Sequence, residues 1–285
     1  MTMPEAPLAR EECLMMMPEA PPHYAWIVTD LDGTLVGRDL RIVPRSAEAL
    51  RRYQDMGGTV VIATGRNEVS AGRYHQELGL STPLIVYNGA RVVDPLSGTR
   101  LLDLNLGVSW DALRDDLLRE LPDGVGAVAF AGEDAHILRA APSLAAYAGR
   151  DRIELREDAV PQAPTKVMLI ADRPGLGPLA RLTARHCPAA RLLQSEDTYL
   201  EILPGAAGKE VAVRRLAERA GVPMERVAAI GDNPNDTAMV RAAGLGAAVG
   251  DGHKEVRAAA DIVVGPCGLG AVADLVEHVI QGAGR

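Results

Sequence analysis

This sequence is short of cysteine, of aromatic residues and of long apolar runs, and each shortage narrows the field. The three cysteines, Cys13, Cys187 and Cys267, fall in no paired or metal-ligating spacing. Neither a disulfide framework nor a cysteine metal site is therefore expected, and a reducing compartment, the cytoplasm, is the default. No apolar stretch reaches the roughly 18 residues of a membrane helix, and no basic start leads into an apolar signal core. Lysine and arginine (30) are outnumbered by aspartate and glutamate (38), for a net charge of -8. That balance speaks against a nucleic-acid surface, which needs clustered cations, although an acidic chain can still bind phosphate locally. Aromatic residues make up 3% of the chain, with a single phenylalanine, so little is available to stack a flat base or flavin.

What is present is ample apolar content, 47% of 285 residues, enough for one large domain or two moderate ones. The amino-terminal stretch stands apart. Met3-Pro4-Glu5-Ala6-Pro7 recurs as Met17-Pro18-Glu19-Ala20-Pro21 without helix or strand periodicity. Residues 1–23 are expected to be a disordered tail, and the repeat allows translation to start at Met17.

From Ala25 onward strands and helices alternate. The apolar run Ala25 to Thr29 reads as a buried strand and ends in Asp30-Leu31-Asp32-Gly33-Thr34-Leu35, where glycine turns the chain. A helix over 44–57, a strand over 59–63 ending in Thr64-Gly65-Arg66, a helix over 67–78 and a strand over 84–87 ending in Asn88-Gly89 follow. Repetition of strand, loop and helix implies a parallel sheet. Between about 90 and 195 the rhythm changes to hairpin strands interleaved with helices, which predicts an inserted α+β unit with its own antiparallel sheet. The first rhythm then returns: a helix opening at Gly208-Lys209, a strand over 227–230 ending in Gly231-Asp232, a helix over 233–242, and further strands and helices to Ile280. The expected architecture is an α/β, doubly wound parallel-sheet core over 24–89 and 196–285, interrupted by an α+β cap over 90–195.

Four elements fall at predicted strand ends or helix starts: Asp30 with Asp32; Thr64 with Gly65 and Arg66; Lys209; and Asp232 with Asn235 and Asp236. Strand ends of an open α/β sheet face the crevice where such folds bind ligands. Together these groups can handle a phosphate monoester. A dianionic phosphoryl group repels an attacking carboxylate, so a cation must stand between them, and Mg²⁺ held by Asp30 and Asp232 would supply that charge. Thr64 and adjacent backbone N–H groups can donate to one phosphoryl oxygen and Lys209 can neutralise another. Lys209 opposes the helix macrodipole at a cost of roughly 0.3–1 kcal/mol unless an anion sits nearby. Asp232 and Asp236, four apart, would share a helix face.

The ordered set Asp-Leu-Asp-Gly-Thr-Leu, strand-terminal Thr-Gly-Arg, helix-opening Lys and Gly-Asp-Asn-x-Asn-Asp resembles the haloacid dehalogenase superfamily, specifically the Cof-like phosphatases with a large inserted cap (subclass IIB). The resemblance spans about Trp26 to Ile280, and Asn88-Gly89-Ala90 is similar to that family's exit from core to cap. It implies that Asp30 is a nucleophile forming an aspartyl-phosphate, and that Asp32 protonates the departing oxygen and then activates water. It also implies that Thr64, Gly65 and Lys209 bind the phosphoryl group. Mg²⁺ would be held by the Asp30 carboxylate, the Asp32 backbone carbonyl and Asp232, with Asn235 and Asp236 supporting these ligands from behind. Glu210 after the lysine and Asp251-Gly252-His253 depart from the family pattern.

The cap is expected to supply the leaving-group pocket, with Arg66, Asn88, His136, Arg139 and Lys166 as candidate substrate contacts. The shortage of aromatics points to a sugar or polyol phosphate as the small phosphorylated metabolite. Competing readings are a phosphomutase of the phosphomannomutase type, a non-catalytic phosphometabolite-binding protein and, more weakly, a metal-dependent glycosyltransferase using Asp-x-Asp.

Overall fold

The computed structural model describes residues 22–132, 134–151, 153–158 and 162–282. The tail expected over 1–23 lies outside these, as does Met17, except for Pro22 and His23, whose carbonyls accept hydrogen bonds from Arg226. The chain opens with β1 (Trp26–Thr29), α1 (Pro44–Asp55), β2 (Thr59–Ile62), α2 (Glu68–Glu77), β3 (Leu84–Val86), β4 (Arg91–Val93) and β5 (Arg100–Asp103). Next come α3 (Val108–Glu120), β6 (Gly126–Ala131), β7 (Asp134–Arg139), α4 (Ser143–Asp151), β8 (Leu155–Arg156), β9 (Lys166–Ile170), α5 (Gly177–His186), β10 (Ala190–Glu196) and β11 (Tyr199–Pro204). It closes with α6 (Lys209–Arg219), β12 (Val227–Gly231), α7 (Thr237–Ala242), β13 (Leu245–Ala248), α8 (Lys254–Ala259), β14 (Ile262–Val263) and α9 (Ala271–Gly282).

Five of these strands form a parallel sheet in the order β14-β13-β12-β1-β2. All four residues of β1 are buried because the strand is central and covered on both faces. Alternation along it separates two packing clusters. Ile27 joins Leu50 of α1, Tyr74 of α2 and Val276 of α9, whereas Trp26 and Val28 join Leu216 of α6 and Met239 of α7. Helices thus cover both faces, as in a doubly wound sheet. A bridge from Ala63 to Ile85 places β3 beside β2, and β3 continues antiparallel into β4 and β5.

A second sheet, in the order β10-β11-β9-β6-β7-β8, is antiparallel apart from its β7–β8 edge pair. Ala127, Ala129, Val167 and Leu169 face Trp110 and Leu117 of α3 and Leu179 of α5. Val128, Phe130, Met168 and Ile170 point the other way and join the cluster that includes the parallel-sheet core. The strand pairing sets its own boundaries. Residues 199–204, expected in the core, pair with β9, whereas 91–103, expected in the insertion, pair beside β3. Strands β10 and β11 had no clean sequence signal, because Gln194, Ser195, Glu196 and Glu201 interrupt their apolar residues. The helices expected over 233–242 and 269–280 also start later than the sequence suggests: 3-10 turns over Pro234–Asp236 and Cys267–Leu269 precede α7 and α9.

Arg91 fastens the two sheets together. Its guanidinium is buried, and it pairs with Glu68 of α2 (2.5 Å) and Asp103 of β5 (2.8 Å). It also donates to Thr165 Oγ1 (2.8 Å) and the Gly132 carbonyl (3.2 Å) on the second sheet's side. Removing one member of such a buried cluster leaves the others uncompensated. Arg91→Ala is expected to cost about 3 kcal/mol, read as a lower urea midpoint; a loss below about 1 kcal/mol would mean that the cluster is not holding the sheets together.

Candidate active site

Parallel register brings the first residues together. Thr29 of β1 lies opposite Ile230 of β12, so Asp30 and Asp232 leave adjacent central strands at their carboxyl ends. Asp232 is then clamped: Thr34 Oγ1 donates to its Oδ1 at 2.9 Å. Gly33, at φ +79°, packs so closely that a Cβ there would sit 2.4 Å from Asp232 Oδ2, which leaves glycine as the residue that fits. Thr64 follows β2 and is buried. Gly89, at φ +87°, approaches Gly208 so tightly that a Cβ would lie 2.1 Å from the Gly208 carbonyl. That contact sets the start of α6, where Lys209 is the first residue.

Lys209 resolves its conflict with the helix dipole through carboxylates. Nζ donates to Asp30 Oδ1 and to Asp236 Oδ1, each at 2.6 Å. The other Asp236 oxygen accepts the backbone N–H groups of Asp232 and Asn233, both at 3.1 Å. Burial works against the Lys209 ammonium, but Asp236 and Asp30 outweigh it and hold the lysine above its ordinary pKa. The Asp30 carboxyl is pushed well up, first by burial, with Lys209 opposing and the neighbouring acids adding to the rise. Burial and then Asp236 push Asp232 up to about 7, against the pull of Thr34 and Lys209.

Carboxylate oxygens of Asp30, Asp232 and Asp236 lie within 4.8 Å of one another. Three acids against one ammonium leave an excess of negative charge in a buried place, and all the donors are hard oxygens, so the set fits a small divalent cation. Asp236 is already committed to Lys209 and the backbone, which leaves Asp30 and Asp232 as the side chains that would ligate it.

These groups open onto a cavity of about 770 Å³ lined by Asp30, Asp32, Thr64, Asp232, Lys166 and Glu201, among others. Gly65, Arg66, Asn88 and Asn235 also line it. Arg66 grips Asp32 with two hydrogen bonds, of 2.7 and 2.5 Å. Thr64 Oγ1 accepts the Arg66 N–H (3.1 Å), so its own hydroxyl hydrogen is the one it can donate to a ligand. Asn88, at φ +54°, receives a hydrogen bond from Asn235 (2.9 Å) and donates one to Glu201 (2.9 Å). Lys166 Nζ donates to the Gly65 carbonyl (3.1 Å) and lies 3.5 Å from Glu201. Cys267 also lines the cavity, but burial pushes its thiol up to about 11 and makes it a poor nucleophile.

Two expected substrate contacts are not brought to the cavity. His136 lies on the opposite strand face from Ala135 and Ile137 and pairs with Asp158 (2.7 Å). Arg139 stands at the far end of β7, where it caps the carbonyls of Leu121 (2.7 Å) and Pro122 (3.0 Å). Glu201 is the residue that sequence reasoning missed. Its signal was a lone acid inside the apolar run Tyr199-Leu200-Glu201-Ile202-Leu203, a charge too costly to bury without partners. The departures from the family pattern stay local: Glu210 pairs with Arg214 (2.5 Å), Asp251 accepts the Cys267 N–H (3.0 Å), and His253 caps α8.

Comparison with known proteins agrees with this geometry. A family model described as haloacid dehalogenase-like hydrolase matches residues 27–276. The chain is 29% identical over 249 residues to the 5-amino-6-(5-phospho-D-ribitylamino)uracil phosphatase YitU of Bacillus subtilis, covering 81% of this chain and 88% of that protein. It is 28% identical to the pyridoxal phosphate phosphatase YbhA of Escherichia coli, covering 89% and 98%. Among solved structures, a haloacid dehalogenase-like hydrolase from Bacteroides thetaiotaomicron superposes with a TM-score of 0.80 at 25% identity, covering 90% of this chain and 99% of that one.

The raised Asp232 carboxyl fixes the sign of a pH effect. Its pKa is about 7 in the metal-free fold, against about 4 for an unfolded chain. The folded state therefore carries the extra proton between those values, and stability falls as pH rises through that window. In EDTA, the urea midpoint should be lower at pH 7.5 than at pH 5, and Asp232→Asn should shrink the difference; an equal difference in the variant would overturn the assignment.

Proposed function

The chain belongs to the haloacid dehalogenase-like hydrolase family, and on that footing we propose that it is a Mg²⁺-dependent phosphatase of the cytoplasm. In this reading it hydrolyses a small phosphorylated metabolite through an aspartyl-phosphate on Asp30. The observation that carries the proposal is that Asp30, Thr64 and Asp232 line one cavity while the buried Lys209 ammonium holds Asp30 from behind.

Asp30 and Asp232 would hold the metal, together with the Asp32 backbone carbonyl. When bound, the ion supplies positive charge between the attacking carboxylate and the phosphoryl oxygens. An Asp30 oxygen attacks phosphorus, forming the carboxylate–phosphorus bond as the bond to the leaving oxygen breaks. Asp32 gives that oxygen its proton. Asp32 then takes a proton from water, which attacks the phosphorus and releases inorganic phosphate and free Asp30. Thr64 and Lys209 bind phosphoryl oxygens throughout, and Asp236 keeps Lys209 in place. Arg66 orients Asp32 and must loosen its grip for the proton to move. The second sheet acts as a cap that closes over the reacting atoms and excludes stray water.

Relatives named for a ribitylaminouracil phosphate and for pyridoxal phosphate support a small phosphorylated metabolite as substrate. The proposed chemistry predicts that acetyl phosphate and p-nitrophenyl phosphate are hydrolysed with Mg²⁺ and not in EDTA. Asp30→Asn should lower turnover about a thousandfold or more while leaving the melting temperature within a few degrees. Turnover retained by that variant would remove the nucleophile, and activity indifferent to EDTA would remove the metal.

A further inference from the structure

We propose that Lys166 is a positioning residue for phosphoryl binding, acting through the Gly65–Arg66 peptide on the Thr64 hydroxyl and not on the leaving group; this rests on the phosphatase reading above. Lys166 stands first in β9 of the second sheet, and its side chain is 4% exposed. Its ammonium is already committed. Nζ donates to the Gly65 carbonyl at 3.1 Å, lies 3.5 Å from Glu201 Oε2, and sits over the rings of Phe130 (4.9 Å) and Tyr87 (5.6 Å). A lysine has three N–H groups, so little of this one is left for a substrate, although the side chain lines the cavity.

The carbonyl it grips belongs to the loop Thr64-Gly65-Arg66, and every carbonyl of that loop is held from outside it. Asn88 N–H donates to the Thr64 carbonyl and Tyr87 N–H to the Arg66 carbonyl, each at 2.9 Å, while Lys166 takes the one between them. The two backbone donors come from consecutive residues at φ +51° and +54°, a left-handed conformation that residues bearing a side chain seldom adopt. Strain of this kind persists where the surroundings impose it, and it gathers at sites whose geometry matters.

A trans peptide points its C=O and N–H in opposite directions, so fixing the Gly65 carbonyl fixes the Arg66 N–H. That N–H donates to Thr64 Oγ1 at 3.1 Å and occupies a lone pair there. The Thr64 hydroxyl hydrogen has no acceptor among the described residues, and Thr64 lines the cavity with Asp30. The contacts thus run from the Lys166 ammonium through one peptide group to the hydroxyl that meets a phosphoryl oxygen. Positive charge on the carbonyl makes the N–H a stronger donor, and stronger donation to Oγ1 makes the hydroxyl a stronger donor in turn. Each link is aligned before substrate arrives, as electrostatic preorganisation requires. Because Lys166 belongs to the second sheet, phosphoryl binding on the parallel-sheet side depends on how that sheet is seated.

A double-mutant cycle with Thr64→Val tests this. It reads kcat/KM for acetyl phosphate and p-nitrophenyl phosphate, and by calorimetry the dissociation constant of inorganic phosphate in Mg²⁺, which needs no turnover. Lys166→Met should lower kcat/KM for both esters by a common factor of about ten and weaken phosphate binding about tenfold. In the Thr64→Val background the same substitution should weaken phosphate binding less than about twofold, since the two residues act as one unit. Lys166→Met leaves Glu201 buried without its cation, so the cycle is repeated in Glu201→Gln, where the same factors are expected of a chain with neither buried charge. An effect on p-nitrophenyl phosphate alone would make Lys166 a leaving-group contact, and an effect of equal size with and without the Thr64 hydroxyl would make it structural. Either overturns the inference while acetyl phosphate turnover leaves the phosphatase reading standing. Absence of acetyl phosphate turnover in the wild type removes both.

Discussion

One ammonium group governs the arrangement of acids in this protein. Lys209 is buried, sits at the start of a helix where a cation is unwelcome, and is tolerated because Asp30 and Asp236 close on it from two other segments. Without it, three carboxylates would crowd a desolvated space with no internal counter-charge. With it, part of the repulsion remains, and the residue is what calls for a divalent ion. The site is therefore incomplete by design: its own side chains balance one negative charge and leave the rest to a ligand.

The parallel sheet is what allows residues so far apart in sequence to meet. Each of β1, β2 and β12 ends at the same edge, and the first residues beyond them are Asp30, the Ala63-Thr64 pair and Asp232. Helices on both faces make these strands apolar apart from Thr29 of β1 and Thr59 of β2, so charged side chains emerge only where the strands stop. The second sheet faces this edge with an alternation of its own. One side packs under α3 and α5, and the other presents Lys166, Met168, Tyr199 and Glu201 to the cavity.

Much of the core site was legible because each residue breaks a local pattern. Asp30 and Asp232 end apolar strands, and Lys209 starts a helix with the wrong charge. The cap was harder to read for a geometric reason. Whether a strand residue faces the cavity depends on register, and one step separates Ile137, on the inward side, from His136, which turns away to Asp158. Lys166 could be recognised as a candidate from its place in the chain, whereas Glu201, a lone acid in an apolar run, signals a need for partners without saying which, since Asn88 and Lys166 are brought near it only by folding.

The contact between Gly89 and Gly208 has a topological meaning beyond its role at Lys209. The first of these glycines lies where the polypeptide passes from β3 into β4 and β5, and the second where it comes back from the second sheet into α6, so the outgoing and returning segments meet at one narrow gateway with no side chain on either post. Closing a long excursion through such a gateway adds little entropic cost as the excursion lengthens. The catalytic layer is thereby insulated from what hangs beyond the gateway, and the hanging unit can be remodelled, lengthened or exchanged without disturbing the aspartates beneath it.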